Sequence, residues 1–492
     1  MDGLITTFIF CSNSKIAKQN ADQFRFVKFI KDTIIVSTIS ATEYFHDYHS
    51  LHFNSIYNSN VFRKIYADSD TKYILLLNGD VEIRIDEDSI YKFIDIAESN
   101  AAGLVYSDYY ELSDNKTIKH PTINYQIGSI RDNFDFGPIV VFKKDSIKKF
   151  YERNNNYNFA GLYSLRLSVS ENFSVFRIPE YLYTARMNDI RKSGEMLFDY
   201  VDPQNRDVQI EMEEAFTFHL EQIGAYLAPI DKLTDLGSKE FEYEASVIIP
   251  VRNREKTIKD ALQSALKQHT NFSFNVIIVD NHSSDSTTQI IRDLSKKGKN
   301  IIHIIPPRTD LGIGGCWNEA IHNSQCGKFA VQLDSDDLYL NEHTLQNIVN
   351  KFYQNKCAMI IGSYRLTDFD KKEIPPGIID HAEWSDVNGH NNALRINGLG
   401  APRAFYTPVI REINFPNVSY GEDYAVALAI LRDYKIGRIY EPIYLCRRWD
   451  GNTDSNLSIE QQNANDYYKD SIRTAEIKAR QKKNNYKFVK QY

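Results

Sequence analysis

Cysteine is scarce and scattered: Cys11, Cys316, Cys326, Cys357 and Cys446 are odd in number and never stand in a Cys-x-x-Cys spacing. That excludes a disulfide framework or a thiolate metal knuckle, and fits free thiols in a reducing cytoplasm. No run of about eighteen apolar residues occurs, so no transmembrane segment is expected. The apolar stretch Leu4 to Cys11 is short, with no basic region before it and no small-residue cleavage site; it is expected to be a first strand. Positive charge is not in surplus either. Lys and Arg number 58 against 65 Asp and Glu, a formal net charge of −7. With no basic block and no aromatic-basic repeat, no nucleic-acid partner is expected.

The composition is otherwise that of a globular protein, with 42% hydrophobic and 25% charged residues over 492 positions, enough for two cores. Aromatic content is high, with 31 Tyr and 28 Phe, a usage common at sugar-handling and interface surfaces. Strand-like apolar runs alternate with amphipathic stretches throughout, which predicts an α/β chain of two tandem domains. Residues 1–190 form the first, with strands at Ile34 to Val36, Tyr73 to Leu77 and Ala102 to Tyr106. Residues 191–240 read as a helical connector. Residues 241–450 form the second domain, opened by the strand Ala245-Ser-Val-Ile-Ile-Pro-Val251. Further strands are expected at Phe274 to Asp280, Ile301 to Ile305, Lys328 to Leu333 and Cys357 to Gly362. This spacing predicts a Rossmann-like, mostly parallel sheet with covered faces, whose ligands bind beyond the carboxyl ends of the strands. Thr367 to Gly400 reads as a long irregular loop. Residues 451–492 read as a polar helix and a basic tail.

Chemistry concentrates where the strand Phe329-Ala-Val-Gln-Leu333 ends in Asp334, Asp336 and Asp337. Carboxylates this close repel one another unless solvent spreads them or a hard divalent cation gathers them. Asp280 ends an earlier strand, and Glu422 and Asp423 open a later helix. The set suits transfer from a nucleoside diphosphate donor. Asp280 could accept the imide N–H of a pyrimidine or the matching edge of guanine. Asp336, with Asp334 nearby, could hold Mg²⁺ or Mn²⁺ against a diphosphate. Asp423 could deprotonate an acceptor hydroxyl, with Glu422 orienting it. Arg447 and Arg448 are either a diphosphate clamp or solvated strand-end charges. In the long loop His381, Trp384, His390 and Arg403 are candidates for acceptor contact. As plain structure, the acids would be an Asp-rich turn and a pair favoured by a helix dipole.

Between about Glu244 and Arg448 four motifs stand in order: Val247-Ile-Ile-Pro-Val-Arg-Asn-Arg254, Val279-Asp-Asn-His-Ser-Ser-Asp285, Leu333-Asp-Ser-Asp-Asp-Leu338 and Gly421-Glu-Asp423. Together they resemble the inverting family 2 glycosyltransferases of the GT-A fold. The resemblance implies that Pro250, Val251, Asn253 and Asp280 line the nucleoside pocket. It implies that Asp334 and Asp336 form the donor and metal site, that Glu422 and Asp423 supply the base, and that Asn318 lies near the diphosphate. Trp317 stands where the family often has Arg, leaving Arg308 or Arg252 as substitutes. Around Arg447 to Asn456 there is no His to complete a metal site, so Asp450, Asp454 or water would do so.

The first half reads as a worn copy of the second. Lys72-Tyr-Ile-Leu-Leu-Leu-Asn-Gly-Asp80 parallels Lys328 to Asp336, and Phe136-Gly-Pro138 parallels Gly400-Ala-Pro402. Ala160 and Gly161 fall where Glu422 and Asp423 stand, and Arg177 to Tyr183 parallels Arg438 to Tyr444. Its expected role is structural or acceptor-positioning, since neither Ala nor Gly can take a proton.

The function expected is metal-dependent, inverting transfer of a sugar, from a UDP-sugar by preference, to a glycan or lipid-linked saccharide in surface polysaccharide or glycoconjugate synthesis. Three other readings stand beside it. A bifunctional polymerase would need a second working site. A sugar-phosphate nucleotidyltransferase would need a Gly-rich loop, and Pro250 to Arg254 has no glycine. A glycan-binding scaffold would not need the acids. The expected location is the cytoplasm, with Lys482, Lys483, Lys487 and Lys490 leaving open a peripheral contact with the inner membrane face.

Overall fold

The computed structural model describes residues 3–38, 44–113, 116–186, 206–230, 233–237, 240–296, 300–381, 387–449, 452 and 457–489, the last four by backbone alone. Of these, unit 1 takes the residues up to 186, those of 206–226 and those of 458–489; unit 2 takes the rest, from 227 to 457. The helix Arg206–Gln222, expected in a connector, and the terminal helix Ile459–Val489 are both part of unit 1. Trp384, Asp450 and Asp454 lie outside the described residues. No helix among the described residues is long and apolar enough to cross a membrane.

The sheet of unit 2 runs β12 (Ile301–Ile304), β11 (Phe274–Asp280), β10 (Ala245–Val251), β13 (Phe329–Gln332), β17 (Arg403–Tyr406), β15 (Met359–Thr367), β18 (Ile436–Arg447), β14 (Leu338–Tyr339), with β16 (Glu373–Ile379) paired to β15. It is less parallel than expected. The first four strands are parallel, whereas β17 runs antiparallel to β13 and β15, and β14 antiparallel to β18. The parallel half is the part legible as continuous apolar runs, because helices cover both of its faces. β16 and the short helix Gly389–Asn392 lie within the stretch expected to be an irregular loop. β16 contains Pro375-Pro376, residues that ordinarily argue against a strand, and among the described residues its one sheet partner is β15, so it is an edge strand, where Pro is tolerated.

Unit 1 repeats this sheet strand for strand: β3 (His49–His52), β2 (Ile30–Ser37), β1 (Ile5–Phe10), β4 (Tyr73–Leu77), β8 (Ile139–Lys143), β6 (Ala102–Ser113), β9 (Ser174–Arg186), β5 (Glu82–Ile85), with β7 (Lys116–His120) on β6. Alternate residues of β4 feed two buried clusters, Tyr73, Leu75 and Leu77 on one face, Ile74 and Leu76 on the other.

Matching hydrogen bonds fix the equivalences. Lys144 N–H donates to Lys72 O as Thr407 N–H donates to Lys328 O, each at 2.9 Å, so Val140 stands for Arg403, Leu76 for Gln332 and Asn78 for Asp334. Ser59 N–H to Tyr157 O (2.8 Å) repeats Gly314 N–H to Val418 O (2.9 Å). Gly161 and Leu162 therefore replace Glu422 and Asp423, one residue on from the expected Ala160 and Gly161. The remaining acid, Asp80, is engaged by its own domain. Its Oδ1 accepts Cys11 Sγ–H (2.6 Å) and the N–H groups of Ser12 (2.7 Å) and Asn13 (2.9 Å), and its Oδ2 accepts Ser12 Oγ–H. Although burial raises it, these bonds hold the Asp80 carboxyl below its usual range. Ahead of the helix Gly161–Ser170, Glu211 accepts the N–H groups of Asn158 (3.0 Å), Phe159 (2.7 Å) and Ala160 (3.3 Å).

Unit 1 has also closed the space. A Cβ on Gly161 would lie 2.4 Å from Tyr57 O and 2.7 Å from Ser59 N, both backbone atoms. Gly161→Ala should therefore destabilise unit 1 by about 1–3 kcal/mol through overpacking. Urea unfolding followed in unit 1 would check this, and an unchanged midpoint would show that the helix start can move aside.

Candidate functional site

In unit 2 the carboxyl ends of β10 and β13, the start of β17 and the N-terminus of the helix Glu422–Asp433 surround a cavity of about 610 Å³. Pro250, Val251 and Asn253 line one side, Asp334 and Asp336 the floor, Glu422 and Asp423 the far wall. Asn253 has φ 54°, a left-handed conformation that Asn tolerates better than most residues. Its Oδ1 accepts Ser284 N–H at 2.8 Å, tying the loop after β10 to the loop after β11.

Asp280 does not reach the cavity. It is fully buried, accepts Ser283 N–H (3.0 Å) and Thr288 Oγ–H (2.5 Å), and lies 3.4 Å from His303 Nε2. Burial raises its carboxyl, and the bonds from His303, Thr288 and Ser283 outweigh that, leaving it far below its usual range. The next residue, Asn281, takes the place in the lining. Asn281 Nδ2–H donates to Leu311 O at 2.7 Å, which leaves Oδ1, buried and without a partner, as its acceptor.

On the floor, Asp334 N–H donates to the Tyr444 hydroxyl (2.9 Å), and both Asp334 oxygens accept Gln332 Nε2–H at 2.9 Å. Asp336 Oδ2 lies 3.7 Å from Arg254 Nε and 3.3 Å from Asn452 Nδ2. Asp337 Oδ1 accepts Arg447 N–H at 2.8 Å. Burial, with the repulsion of neighbouring acids, raises the carboxyls of Asp334 and Asp337 above their usual range. Arg447 supports this turn from below. Only 1% exposed, it donates through Nε to Asp336 O (2.5 Å) and sits over the Phe369 ring, so that Arg448 reaches the cavity instead.

At the far wall Gly421, with φ 76°, turns the chain into the helix. Glu422 is 8% exposed and its Oε2 has no hydrogen-bond partner. Burial, with the charge of Asp423 beside it, pushes its carboxyl up to about 8. Asp423 pairs with Arg403, Oδ2 to Nη2 at 2.8 Å. Burial works against the charge of Arg403, and Asp423, Asp334 and Glu422 more than offset it.

The family model described as Glycosyl transferase family 2 matches residues 246–411. Over this segment the chain resembles the family 2 glycosyltransferases. Escherichia coli WfgD, named as a UDP-Glc:alpha-D-GlcNAc-diphosphoundecaprenol beta-1,3-glucosyltransferase, is 27% identical over 202 residues, 40% of this chain and 74% of that protein. A poly(ribitol-phosphate) beta-glucosyltransferase of Bacillus spizizenii is 27% identical over 225 residues, 44% of this chain and 34% of that one. The solved structure of Staphylococcus aureus TarS 1-349 with UDP-GlcNAc aligns at 22% identity and TM-score 0.38, over 48% of this chain and 72% of that one. The chain thus spans about three quarters of the first protein and about a third of the second.

Of the residues expected at the site, the cavity of unit 2 gathers Pro250, Val251, Asn253, Asp334, Asp336, Glu422 and Asp423, and leaves out Asp280, Asn318 and Arg447. Asn318 is a brace: its amide exchanges two hydrogen bonds with the backbone of Phe415, at 2.8 and 2.9 Å. Trp317 is 5% exposed and stacks on Phe415 at 5.0 Å. Arg308 pairs with Asp310 at 2.7 Å, while Arg252, Arg254 and Arg448 line the cavity. His390 is buried, its Nε2 2.8 Å from Leu227 O, and does not line it. Asn281 and Gln332 were not singled out from the sequence; their neighbours Asp280 and Asp334 carried the stronger chemical signal. Among the described residues, no three His, Cys, Asp or Glu side chains converge as a metal cage.

The acidity of Glu422 sets a direction for stability. Unfolded Glu ionises near about 4.3, and folded Glu422 near about 8. Between those values the folded state holds more protons than the unfolded chain, so stability falls as pH rises through the window. Glu422→Gln should remove that loss. Without added metal, its Tm gain over the parent protein should be larger at pH 8.5 than at pH 5, by about 8–15 °C. Equal differences at the two pH values would show that Glu422 is not held neutral.

Proposed function

We propose that unit 2 transfers a sugar from a nucleoside diphosphate donor to a hydroxyl of a glycan or lipid-linked saccharide, with inversion, in surface polysaccharide or glycoconjugate synthesis. The observation that carries this is the meeting of two acidic groups across one cavity, Asp334 and Asp336 from the β13 end and Asp423 from the helix start. The donor lies along Pro250, Val251 and Asn253 with its base against Asn281. The unpartnered Oδ1 of Asn281 accepts one N–H, which suits the imide of uracil better than the ring nitrogen of cytosine, an acceptor. Arg252, Arg254 and Arg448 supply positive charge for the diphosphate. Asp423, held by Arg403, accepts the proton of the acceptor hydroxyl as that oxygen attacks the anomeric carbon and the diphosphate departs from the opposite face. Glu422, neutral and beside it, holds its proton and can donate a hydrogen bond to a sugar oxygen.

Asp334 and Asp336 fit a divalent ion that arrives with the diphosphate. Two carboxylates with no third protein ligand among the described residues suit Mg²⁺ or Mn²⁺, which take one or two carboxylates plus phosphate oxygens and water. A bound ion would offset the charge that develops on the departing diphosphate. The acceptor class is supported by the names of the relatives, enzymes of undecaprenol-linked and poly(ribitol-phosphate) substrates. A polymerase with two active sites has no support in unit 1, where Leu76, Asn78, Val140, Gly161 and Leu162 take the places of Gln332, Asp334, Arg403, Glu422 and Asp423.

Thermal unfolding with UDP, GDP, CDP and dTDP, each with and without Mn²⁺, tests the donor reading. UDP with Mn²⁺ at about 100 times its dissociation constant should stabilise unit 2 by about 2.7 kcal/mol. CDP should do so less, and Asp336→Ala should abolish the effect of Mn²⁺. No shift with any nucleotide would remove the donor site. Asp423→Asn should keep the UDP shift and lose transfer by about 100-fold or more; a variant that transfers at the parent rate would exclude Asp423 as the base.

A further inference from the structure

Two side chains of the cavity belong to neither the donor carboxylates nor the acidic pair, yet join them. Gln332, the last residue of β13, donates its Nε2–H to both oxygens of Asp334 and accepts the backbone N–H of Arg403 at 3.0 Å. Arg403, the first residue of β17, donates Nη1–H to Gly400 O at 2.8 Å and places Nη2 2.8 Å from Asp423. A continuous path thus runs from Asp334 through Gln332 and Arg403 to Asp423. Its middle members sit on two paired strands and not on loops: β17 is bonded to β13 on one side and β15 on the other. The Gln332 and Arg403 side chains are 4% and 17% exposed, so the path is buried at one end and opens to the cavity at the other.

The duplicated unit supplies an internal control. Its sheet has the same strand order and the same β4–β8 pairing, and it carries Leu76 and Val140 where unit 2 carries Gln332 and Arg403. The sheet therefore forms without either polar side chain. Both are missing from the copy that also lacks the counterparts of Asp334, Glu422 and Asp423, which ties them to the chemistry and not to the sheet.

We propose that Arg403 is a positioning residue for Asp423, and that Gln332 fixes Arg403 relative to the donor carboxylate Asp334, so that the base and the donor site are held in one register. This rests on the reading of Asp423 as the base. A guanidinium anchored by Gly400 O and by its own strand has little freedom, so it fixes Oδ2 of Asp423, as the Tyr424 N–H, 2.7 Å away, fixes Oδ1. Loss of that anchor would misplace the base by an ångström or so, which is enough to cost about 100-fold in rate.

UDP release from UDP-glucose and from UDP-N-acetylglucosamine, with water as the acceptor, gives a readout that needs no glycan. Arg403→Met should lower kcat by about 100-fold while the KM for donor stays within about 3-fold, and Arg403→Lys should recover part of the loss. Combined with Asp423→Asn, Arg403→Met should cost nothing further, because it acts through the same carboxylate. The UDP-dependent thermal shift should persist in Arg403→Met, showing that the variant folds with its donor site intact. If the two losses multiply, or if donor KM rises with kcat preserved, Arg403 acts on its own or on the diphosphate and the proposal is overturned. Full activity of Asp423→Asn alone would instead remove the base assignment, whatever Arg403 does.

Discussion

The arrangement of unit 2 depends on one electrostatic difficulty, the desolvation of several carboxyl groups around the end of one buried strand. Asp334, Asp336 and Asp337 follow β13 within four positions, and the helix carrying Glu422 and Asp423 brings two more to the same cavity. Nothing in an apolar sheet can neutralise them, so the surrounding cations and donors are arranged about them. Arg447 is buried under the turn, Arg254 stands across from Asp336, Arg403 pairs with Asp423, and Gln332 takes both oxygens of Asp334. What these do not offset shows in the acidities: burial and mutual repulsion hold Asp334, Asp337 and Glu422 above the usual carboxyl range. A site with this surplus of acid is suited to a ligand that brings a cation with it.

Unit 1 shows the other solution to the same backbone. Where unit 2 keeps its acids facing a cavity, unit 1 replaces them with Asn78, Gly161 and Leu162 and turns the survivor, Asp80, into an acceptor for its own first loop. Glu211 bonds the N–H groups ahead of the helix that would carry the acidic pair, and the backbone at Tyr57 and Ser59 closes over Gly161. A protein interior relaxes toward full hydrogen bonding and close packing when no substrate needs the space. The shared strand order, kept through these changes, shows how little of the sheet depends on the site.

Much of this was legible in the sequence because the informative signals are local. Continuous apolar runs located β10, β11, β13 and β15 to within a residue or two at their starts, since strands covered on both faces need no alternation. The carboxylate motifs likewise placed Asp334, Asp336, Glu422 and Asp423, whose chemistry is carried by residue type. What escaped was set by direction and pairing. β14, β16 and β17 are short or interrupted by Pro, and their hydrogen bonds come from strands distant in sequence. Asp280 and Asn281 show the limit most clearly. Adjacent side chains on an extended chain point to opposite faces, so the stronger candidate by residue type is the one turned into the core. Arg447 and Arg448 repeat the lesson at the end of β18.

The acidic pair at the helix start carries the argument to its end. Glu422 and Asp423 are neighbours on one turn and share the favourable field of a helix N-terminus, so position alone cannot divide their roles. Their surroundings do. Glu422 faces inward, 8% exposed, with an oxygen that no protein group satisfies, and burial keeps its proton on. Asp423 lines the cavity with Oδ2 held 2.8 Å from the Arg403 guanidinium. Two adjacent carboxyls in such different surroundings are what a site needs if one is to accept a proton and the other to donate a hydrogen bond at the same pH. The contrast has two sources, the burial of Glu422 and the pairing of Asp423 with Arg403, which comes from the sheet and not from the helix. In the proposed transfer, then, the identity of the base is decided by the strand across the cavity as much as by the motif that contains it.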